Sequence, residues 1–501
     1  MSESEKLLEK LLERVRTSAK FSYAANLLDW DLTTKMPNGG AEGRAEISAT
    51  VRTEGFKLFT SDELGEILKK LAGVEEVDRQ KQVLLRRISA AYQRSKAIPP
   101  DLFQAFGEAS SKSYVVWVKA KEKSDFKLFQ PALEEVVRFA RQFAELYGYE
   151  KNPYDGLLPN YEPGLTTEDL RAIAYNIRKE LVPFVRLLAE QPNKPDETLL
   201  QGNFSEDLQR QLSLEILKAI GYDFNRGRLD TTPHPFMLAV GPDDIRVATR
   251  FVTDNVAAAL FATLHEGGHA LYWQGTDPLL NWLPYMDMGF SYGIDESQSR
   301  MWENIVGRSL PFWKFFYSRL QGIIPRFKSI PLDDFHRAIN MAKPSLIRIY
   351  ADEVTYNLHI MLRFEIEEAL LKGELEVNSL PEIWNAKMQE YLGIVPENDA
   401  EGVLQDVQWA GGAFGYFPAY MLGNLYAAQL FAAAKQEITS LEDEIAKGNF
   451  NILREWLREK VHRFGLIYEA PKLLQEATGK GPTSEPWLSY IREKFSKIYG
   501  I

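Results

Sequence analysis

Residues 263–272 read TLHEGGHALY, with two histidines four positions apart and a glutamate directly after the first. Positions i and i+4 share one face of an α-helix, so His265 and His269 can both turn a ring nitrogen toward one cation. Glu266 lies about 100° around the helix, where it can reach a water on that cation. This spacing is the one that zinc peptidase chemistry needs, and it predicts a catalytic metal site on a helix.

The stretch lies inside a long apolar helical pattern. A cap near Thr253 or Asp254 precedes NVAAALFATL, and the pattern continues to Gly275. Gly267 and Gly268 each cost roughly 1 kcal/mol relative to alanine inside a helix. The presence of both glycines despite this cost indicates that a neighbouring backbone or a ligand approaches closely at this turn.

A third protein ligand must be His, Asp or Glu, because the chain has no cysteine. Downstream, residues 295–307 read DESQSRMWENIVG with helical spacing and offer Asp295, Glu296 and Glu303. A second helix with a glutamate is the arrangement of His₂Glu zinc sites. We select Glu296, with Glu303 second, although acids also favour a first helical turn through its dipole.

Composition and patterning predict a mainly α protein. The 501 residues are 45% hydrophobic and 26% charged, enough for a large buried core, and helical periodicity dominates. Two β-rich runs around a Gly-Pro-Asp-Asp turn, residues 236–252, predict a small hairpin just before the HEGGH helix. No linker-like segment interrupts the chain, so we expect a single domain over residues 1–501.

The charge and the lack of long apolar runs argue against several classes of partner and against a membrane location. A net charge of −11 without a basic run argues against nucleic acid and anionic membranes. The N-terminus MSESEKLLEKLLERVRT lacks an apolar signal-peptide core, and no later apolar run has the length of a membrane span. We therefore expect a cytoplasmic protein.

Further motifs accompany HEGGH in a fixed order. They are YDGLLPNYEPG (154–164), GRLD (227–230), HPF (234–236), DIRVA (244–248), DESQSR (295–300), IRIYAD (347–352) and GVLQDVQW (402–409). Through them the chain resembles the carboxypeptidase Taq family of metallocarboxypeptidases, HEXXH enzymes that release C-terminal residues from peptides. The resemblance implies a zincin-like helical domain with a deep groove roofed by N-terminal helices, at about residues 1–150. It also implies one zinc or cobalt ion and a homodimer.

The same resemblance indicates substrate-site residues. A free C-terminal carboxylate is best matched by the planar fork of arginine, for which Arg348 and Arg246 are candidates. Helical spacing places Arg348 in a predicted helix over 345–371. The HPF motif adds His234, and GVLQDVQW adds Gln405 and Asp406 as substrate-binding residues.

The Gly-rich stretch after GVLQDVQW carries Tyr416 and Tyr420, either of which could donate a hydrogen bond to the oxyanion, and we select Tyr420. We read His359 as a packed residue, and His336 and His462 as surface residues.

The chain departs from the family pattern at three places. DIRVA lacks the threonine of DXRXT, and Asp295 stands where a histidine often precedes the ligand glutamate. Gln408 replaces the histidine of GXXQDXHW and offers only a neutral amide to an oxyanion or to substrate. These changes leave the proposed metal ligands intact.

The sequence predicts metal-dependent hydrolysis at the free C-terminus of peptides, with Glu266 as general base. Two alternatives stay open at this point. A related oligopeptidase would share the HEXXH helix without needing an arginine clamp. A helical scaffold would bind metal without turnover that depends on Glu266.

Overall fold

The computed structural model describes residues 2–73, 79–278, 280–283 and 290–501. Helices dominate these ranges, and the strands within them form one three-stranded sheet. The prediction of a mainly α fold with a small sheet is confirmed. None of the helices in the described ranges combines the length and apolar character needed to cross a bilayer.

The N-terminal helices reach across to both the sheet and the C-terminal half. The side-chain amide of Asn26 donates to the backbone oxygen of Ala239, and the indole of Trp117 donates to that of Leu404. That these helices roof a groove stays a prediction. The helices are α1 (Glu3–Thr34), α2 (Ala41–Phe59), α3 (Asp62–Leu71), α4 (Arg79–Ala97), α5 (Pro100–Lys123) and α6 (Phe126–Tyr147).

The sheet precedes the metal-site helix, as the hairpin pattern predicts. Its strands are β1 (Leu229–Thr231), β2 (Phe236–Gly241) and β3 (Asp244–Thr249). β3 is central, antiparallel to β2 and parallel to β1. β3 also packs against the helix that follows it, which ties the sheet to the site.

That helix, α10 (Val256–Gly275), is the centre of the fold. Asn255 caps it by accepting a hydrogen bond from the backbone N–H of Ala257, one position beyond Asp254 and two beyond Thr253, the caps expected from the sequence. Its residues are apolar around most of the circumference and mostly buried, as a core helix requires. α11 (Tyr292–Arg300) packs against both α10 and α16 (Phe417–Glu437) and continues into a π-helical turn, Met301–Val306.

The remaining helices surround this centre. They are α7 (Tyr154–Leu157), α8 (Thr167–Glu190), α9 (Glu206–Ile220), α12 (Leu310–Ile323), α13 (Leu332–Ala338), α14 (Tyr356–Lys372), α15 (Leu380–Leu392), α17 (Leu441–Ala446), α18 (Asn451–Leu457), α19 (Ala470–Thr478) and α20 (Glu485–Tyr499).

The prediction of a helix over 345–371 is wrong for residues 345–355. α14 begins only at Tyr356, and Arg348 lies in a short 3₁₀ turn before it. The side chain of Asp352 explains the break, because it accepts hydrogen bonds from the backbone N–H groups of Lys343, Val354 and Thr355. Such local side-chain bonds compete with helix formation, and here they prevail over apolar periodicity.

Candidate metal centre and active site

Two histidines and a glutamate meet between α10 and α11. His265 and His269 lie one turn apart on α10, and Glu296 lies on α11. The Nε2 atoms of His265 and His269 are 3.8 Å and 3.5 Å, respectively, from Oε2 of Glu296. One donor atom from each side chain lies within 4.8 Å of the other two. Two imidazole nitrogens and a carboxylate are a donor set that catalytic zinc sites use, with a position left for water.

Glycines allow the helices to approach at this point. A Cβ at Gly268 would lie 2.5 Å from the backbone oxygen of Gln298, and one at Gly423 would lie 2.4 Å from Cγ of Glu296. A Cβ at Gly267 would meet Leu217 of α9 at 2.8 Å. The close approach expected at the glycine pair is confirmed, and it brings α11 within reach of the two histidines.

Glu303 and Asp295, which we call the outer carboxylates, lie on the Nδ1 side of the two imidazoles. Nδ1 of His265 lies 2.8 Å from Oε2 of Glu303, and Nδ1 of His269 lies 3.1 Å from Oδ2 of Asp295. Of the three acids considered for the third ligand, therefore, only Glu296 lies on the Nε2 side. A carboxylate on Nδ1 fixes the tautomer and ring orientation of a metal-binding histidine.

Arg300 links the acids of the site. Its Nε donates to Oε1 of Glu296 at 2.6 Å, its Nη1 donates to Oε2 of Glu303 at 3.3 Å, and its guanidinium lies 4.3 Å from the ring centre of Tyr356. Burial alone would raise the pKa of Glu303, but Arg300 and the contact with His265 outweigh it and hold that pKa at about 2. For the same reason the pKa of Glu296 is well below its usual range. Both acids are thus anionic at neutral pH.

Glu266 is buried beside the metal ligands, with 7% of its surface exposed. Burial raises its pKa; the two histidines oppose this shift, and Glu296 and Asp295 add to it. A raised pKa makes this carboxyl group a stronger proton acceptor, which favours the role of a general base.

The first turn of α11 is anchored by a buried acid, Glu162. Its carboxylate accepts hydrogen bonds from the hydroxyls of Ser291 and Tyr426 and from the backbone N–H of Gly293. Burial nevertheless raises the pKa of Glu162 to about 7. The position of Glu296, one turn along α11 from Gly293, therefore depends on this acid.

Arg348 lies in a buried cluster with Asp406 and Arg363. Nε and Nη2 of Arg348 donate to Oδ1 of Asp406 at 2.9 Å and 2.8 Å, and Nη1 donates to the hydroxyl of Tyr356 at 2.9 Å. Arg363 donates to the other oxygen of Asp406 at 2.6 Å. The guanidinium of Arg348 lies 4.9 Å from the ring centre of Tyr420. Two arginines share one carboxylate, so the cluster of the three side chains carries one excess positive charge.

Gln405 supports the turn that carries Arg348. Its side-chain oxygen accepts from the backbone N–H of Arg348 and from Arg363, each at 2.8 Å. Its amide nitrogen lies within hydrogen-bonding distance of the backbone oxygens of Leu346, Glu401 and Gly402. The bonds of Gln405 and Asp406 thus run to Arg348 and its surroundings.

Tyr416 and Tyr420 extend this cluster, because Tyr420 lies against Arg348 and Tyr416 packs on Tyr420. The ring centres of the two tyrosines are 5.1 Å apart. Burial raises the pKa of Tyr420 to about 12; Arg348 opposes the shift, and the charge of Glu296 adds to it. Tyr420 therefore keeps its proton at neutral pH. Gln408, in the preceding loop, has a buried side-chain oxygen with no partner among the described residues.

The other two predicted substrate residues lie on the sheet or in the connection between two of its strands. His234 is exposed between β1 and β2. Arg246 lies on β3, where its Nε and Nη2 bond to the carboxylate of Asp244 at 2.8 Å and 2.6 Å. The sheet arginine is thus held by a carboxylate of its own strand, next to Trp30 of α1.

The sequence reading missed Arg300 and Arg363 as site residues and took His462 for a surface residue. The i+4 and i+3 spacings of Glu296, Arg300 and Glu303 signal an ion-pair row on one helix face, which could have been found. Arg363 carried no such local signal, because its partner Asp406 lies in a distant loop. His462, read as a surface residue, is buried, with Nε2 3.0 Å from the side-chain oxygen of Gln298.

Comparisons with known proteins agree with this geometry. The family model described as carboxypeptidase Taq (M32) metallopeptidase matches residues 10–495. Carboxypeptidase 1 of Bacillus subtilis is 40% identical, over 99% of this chain and 98% of its own length. Thermostable carboxypeptidase 1 of Thermus thermophilus is 39% identical, over 98% and 99%. The crystal structure of the M32 carboxypeptidase from Deinococcus radiodurans superposes with a TM-score of 0.96 at 33% identity, over 99% of this chain and 100% of that one.

Proposed function

The chain belongs to the carboxypeptidase Taq (M32) family of metallopeptidases, and we propose that His265, His269 and Glu296 hold its catalytic ion. It is a metal-dependent carboxypeptidase that acts on peptides. The convergence of both Nε2 atoms on one carboxylate supports this ligand set, because both Nδ1 atoms face other acids. The Nε2 lone pairs are then free for a metal.

A bound divalent ion there supplies Lewis-acid chemistry, since it acidifies water and polarises a carbonyl group. We assign Glu266 as the general base. Its carboxylate takes a proton from the attacking water and returns it to the nitrogen of the leaving amino acid. The raised pKa of Glu266 favours the second transfer, which needs the protonated acid.

We assign Arg348 as the clamp for the C-terminal carboxylate of the substrate. Three of its five N–H groups are engaged by Asp406 and Tyr356, so one remains on each Nη nitrogen. Two N–H groups on neighbouring nitrogens form the fork that matches a carboxylate. The excess positive charge of the cluster favours an anionic end group.

The remaining roles follow from the contacts. Tyr420 is a neutral phenol beside Arg348, and the charge of Glu296 acts on it, so it is suited to donate a hydrogen bond to the oxyanion. Gln405 and Asp406 act through Arg348, which makes them positioning residues rather than direct substrate contacts. We assign His234 and Arg246 to substrate binding, and we keep Gln408 as a catalytic candidate that offers a neutral amide to the oxyanion.

The comparisons support the carboxypeptidase reading rather than an oligopeptidase, because the named relatives are carboxypeptidases. We propose zinc or cobalt as the ion, since nitrogen and carboxylate ligands suit both. The homodimer, the single-domain organisation, the cytoplasmic location and the absence of nucleic-acid or membrane partners stay predictions.

Mass-resolved digestion of one peptide with free and with amidated C-terminus tests this assignment. We expect stepwise loss of C-terminal residues from the free peptide alone, and no loss with a Glu266→Gln variant that retains its metal. Internal fragments from both peptides would contradict the clamp, and turnover by the variant would contradict the base.

A further inference from the structure

Asp295 faces His269 from the side opposite the metal ligands. Its Oδ2 lies 3.1 Å from Nδ1 of His269, an ion-pair distance without the alignment of a hydrogen bond, and its Oδ1 accepts a hydrogen bond of 3.1 Å from the indole N–H of Trp273. His269 and Trp273 are one turn apart on α10, so both point at the same carboxylate on α11. The indole therefore orients Asp295 toward the imidazole.

The two outer carboxylates differ in their electrostatic surroundings. Glu303, which faces His265, also contacts Arg300 at 3.3 Å and Arg308 at 3.8 Å. Asp295 has no lysine or arginine nitrogen within 4.0 Å in the part of the chain that the structure describes. Two guanidinium groups thus offset the charge of Glu303, whereas the charge of Asp295 acts on His269 with only a neutral indole beside it.

We propose that Asp295 is a positioning residue that sets the metal affinity of this chain through His269. The inference rests on the proposed function, because it requires His269 to be a ligand. An anionic group beside Nδ1 favours the proton on that nitrogen and makes Nε2 a stronger donor to a cation. An asparagine at 295 removes the charge and can present its NH₂ group to Nδ1, which favours the tautomer with the proton on Nε2.

Replacing Asp295 by histidine isolates the contribution of its charge. A neutral imidazole at this position accepts one hydrogen bond and adds no negative charge. The chain therefore surrounds its ion with one more carboxylate than its Asp295→His variant does, and we expect it to hold the ion more tightly than that variant.

The test is the zinc dissociation constant, measured on the full chain by competition with a chromophoric chelator. Wild type is compared with Asp295→Asn, Asp295→His and a control, Asp254→Asn, which removes the same charge from an exposed position before α10. Zinc release rates and the thermal unfolding of the metal-free proteins accompany the affinities. A merely structural role would change the unfolding of the metal-free protein, whereas a positioning role changes the affinity.

We expect Asp295→Asn to weaken zinc binding by roughly 10–100-fold, Asp295→His to weaken it less, and Asp254→Asn to leave it unchanged. Wild-type affinity in both Asp295 variants would overturn the inference while the proposed function stands. If Asp295→Asn does not fold, Asp295→His decides, because a neutral imidazole can still accept the hydrogen bond of the Trp273 indole. Zinc binding that survives His269→Ala would instead contradict the proposed metal site.

Discussion

The clamp assigned to Arg348 leads to a quantitative prediction for Arg348→Gln. The substitution removes the two N–H groups available to the substrate carboxylate, and hydrogen bonds to charged groups contribute about 1.5–3 kcal/mol each. For the two bonds together, a loss of about 3–6 kcal/mol corresponds to a fall of roughly 10²–10⁴-fold in kcat/KM for peptides with a free C-terminus. Asp406 keeps its bond to Arg363, so we expect the variant to fold.

The assay compares kcat/KM for a free and an amidated peptide in wild type, Arg348→Gln and a matched control, Arg246→Gln. We expect the preference for the free peptide to disappear in Arg348→Gln and to persist in the control, because Asp244 already engages Arg246. Arg348→Lys should recover part of the loss, since it keeps the charge but not the fork. A loss below about tenfold in Arg348→Gln, or an equal loss for both peptides, would refute the reasoning.

Three further predictions concern the metal-site helices. Glu266→Gln should lower kcat by roughly 10²–10⁴-fold with unchanged metal content by mass spectrometry, and activity near wild type would rule out its role as base. Gly268→Ala should lower the free energy of unfolding by about 1–3 kcal/mol in denaturant titrations, because the alanine Cβ would meet the backbone of α11. Unchanged stability and metal content would contradict the close packing of α10 and α11. Since the pKa of Glu162 rises to about 7 on folding, the folded protein binds more protons than the unfolded chain from about pH 4.5 to 7. As the pH rises through that window, the free energy of unfolding of the wild type should fall by up to about 3 kcal/mol relative to that of Glu162→Gln. Parallel plots of unfolding free energy against pH for the two proteins would contradict this prediction.

The sequence predicted the metal-site helix and the small sheet, because both depend on local patterns. HEGGH needs only the helical repeat to place its histidines on one face, and the glycine pair signalled the close approach of another backbone. The hairpin followed from two β-rich runs around a turn. Glu296 could be chosen because acids in helical spacing are few in that region.

The surroundings of Arg348 could not be predicted from local patterns. Apolar periodicity predicted a helix through 345–355, but the carboxylate of Asp352 binds backbone N–H groups there and delays the helix to Tyr356. Without that helix, Arg348 pairs with Asp406 from a distant loop rather than with Asp352 one turn away. Periodicity reports which residues are buried, whereas such pairings depend on tertiary contacts.

The central claim is that His265, His269 and Glu296 bind one catalytic ion. Crystals of the zinc-loaded protein, measured on both sides of the zinc absorption edge, test it most directly. We predict one anomalous peak per chain, at zinc–ligand distances of about 2.0–2.2 Å from Nε2 of both histidines and from the carboxylate of Glu296. A peak coordinated by Glu303 or Asp295 in place of Glu296, or no peak between α10 and α11, would contradict the account.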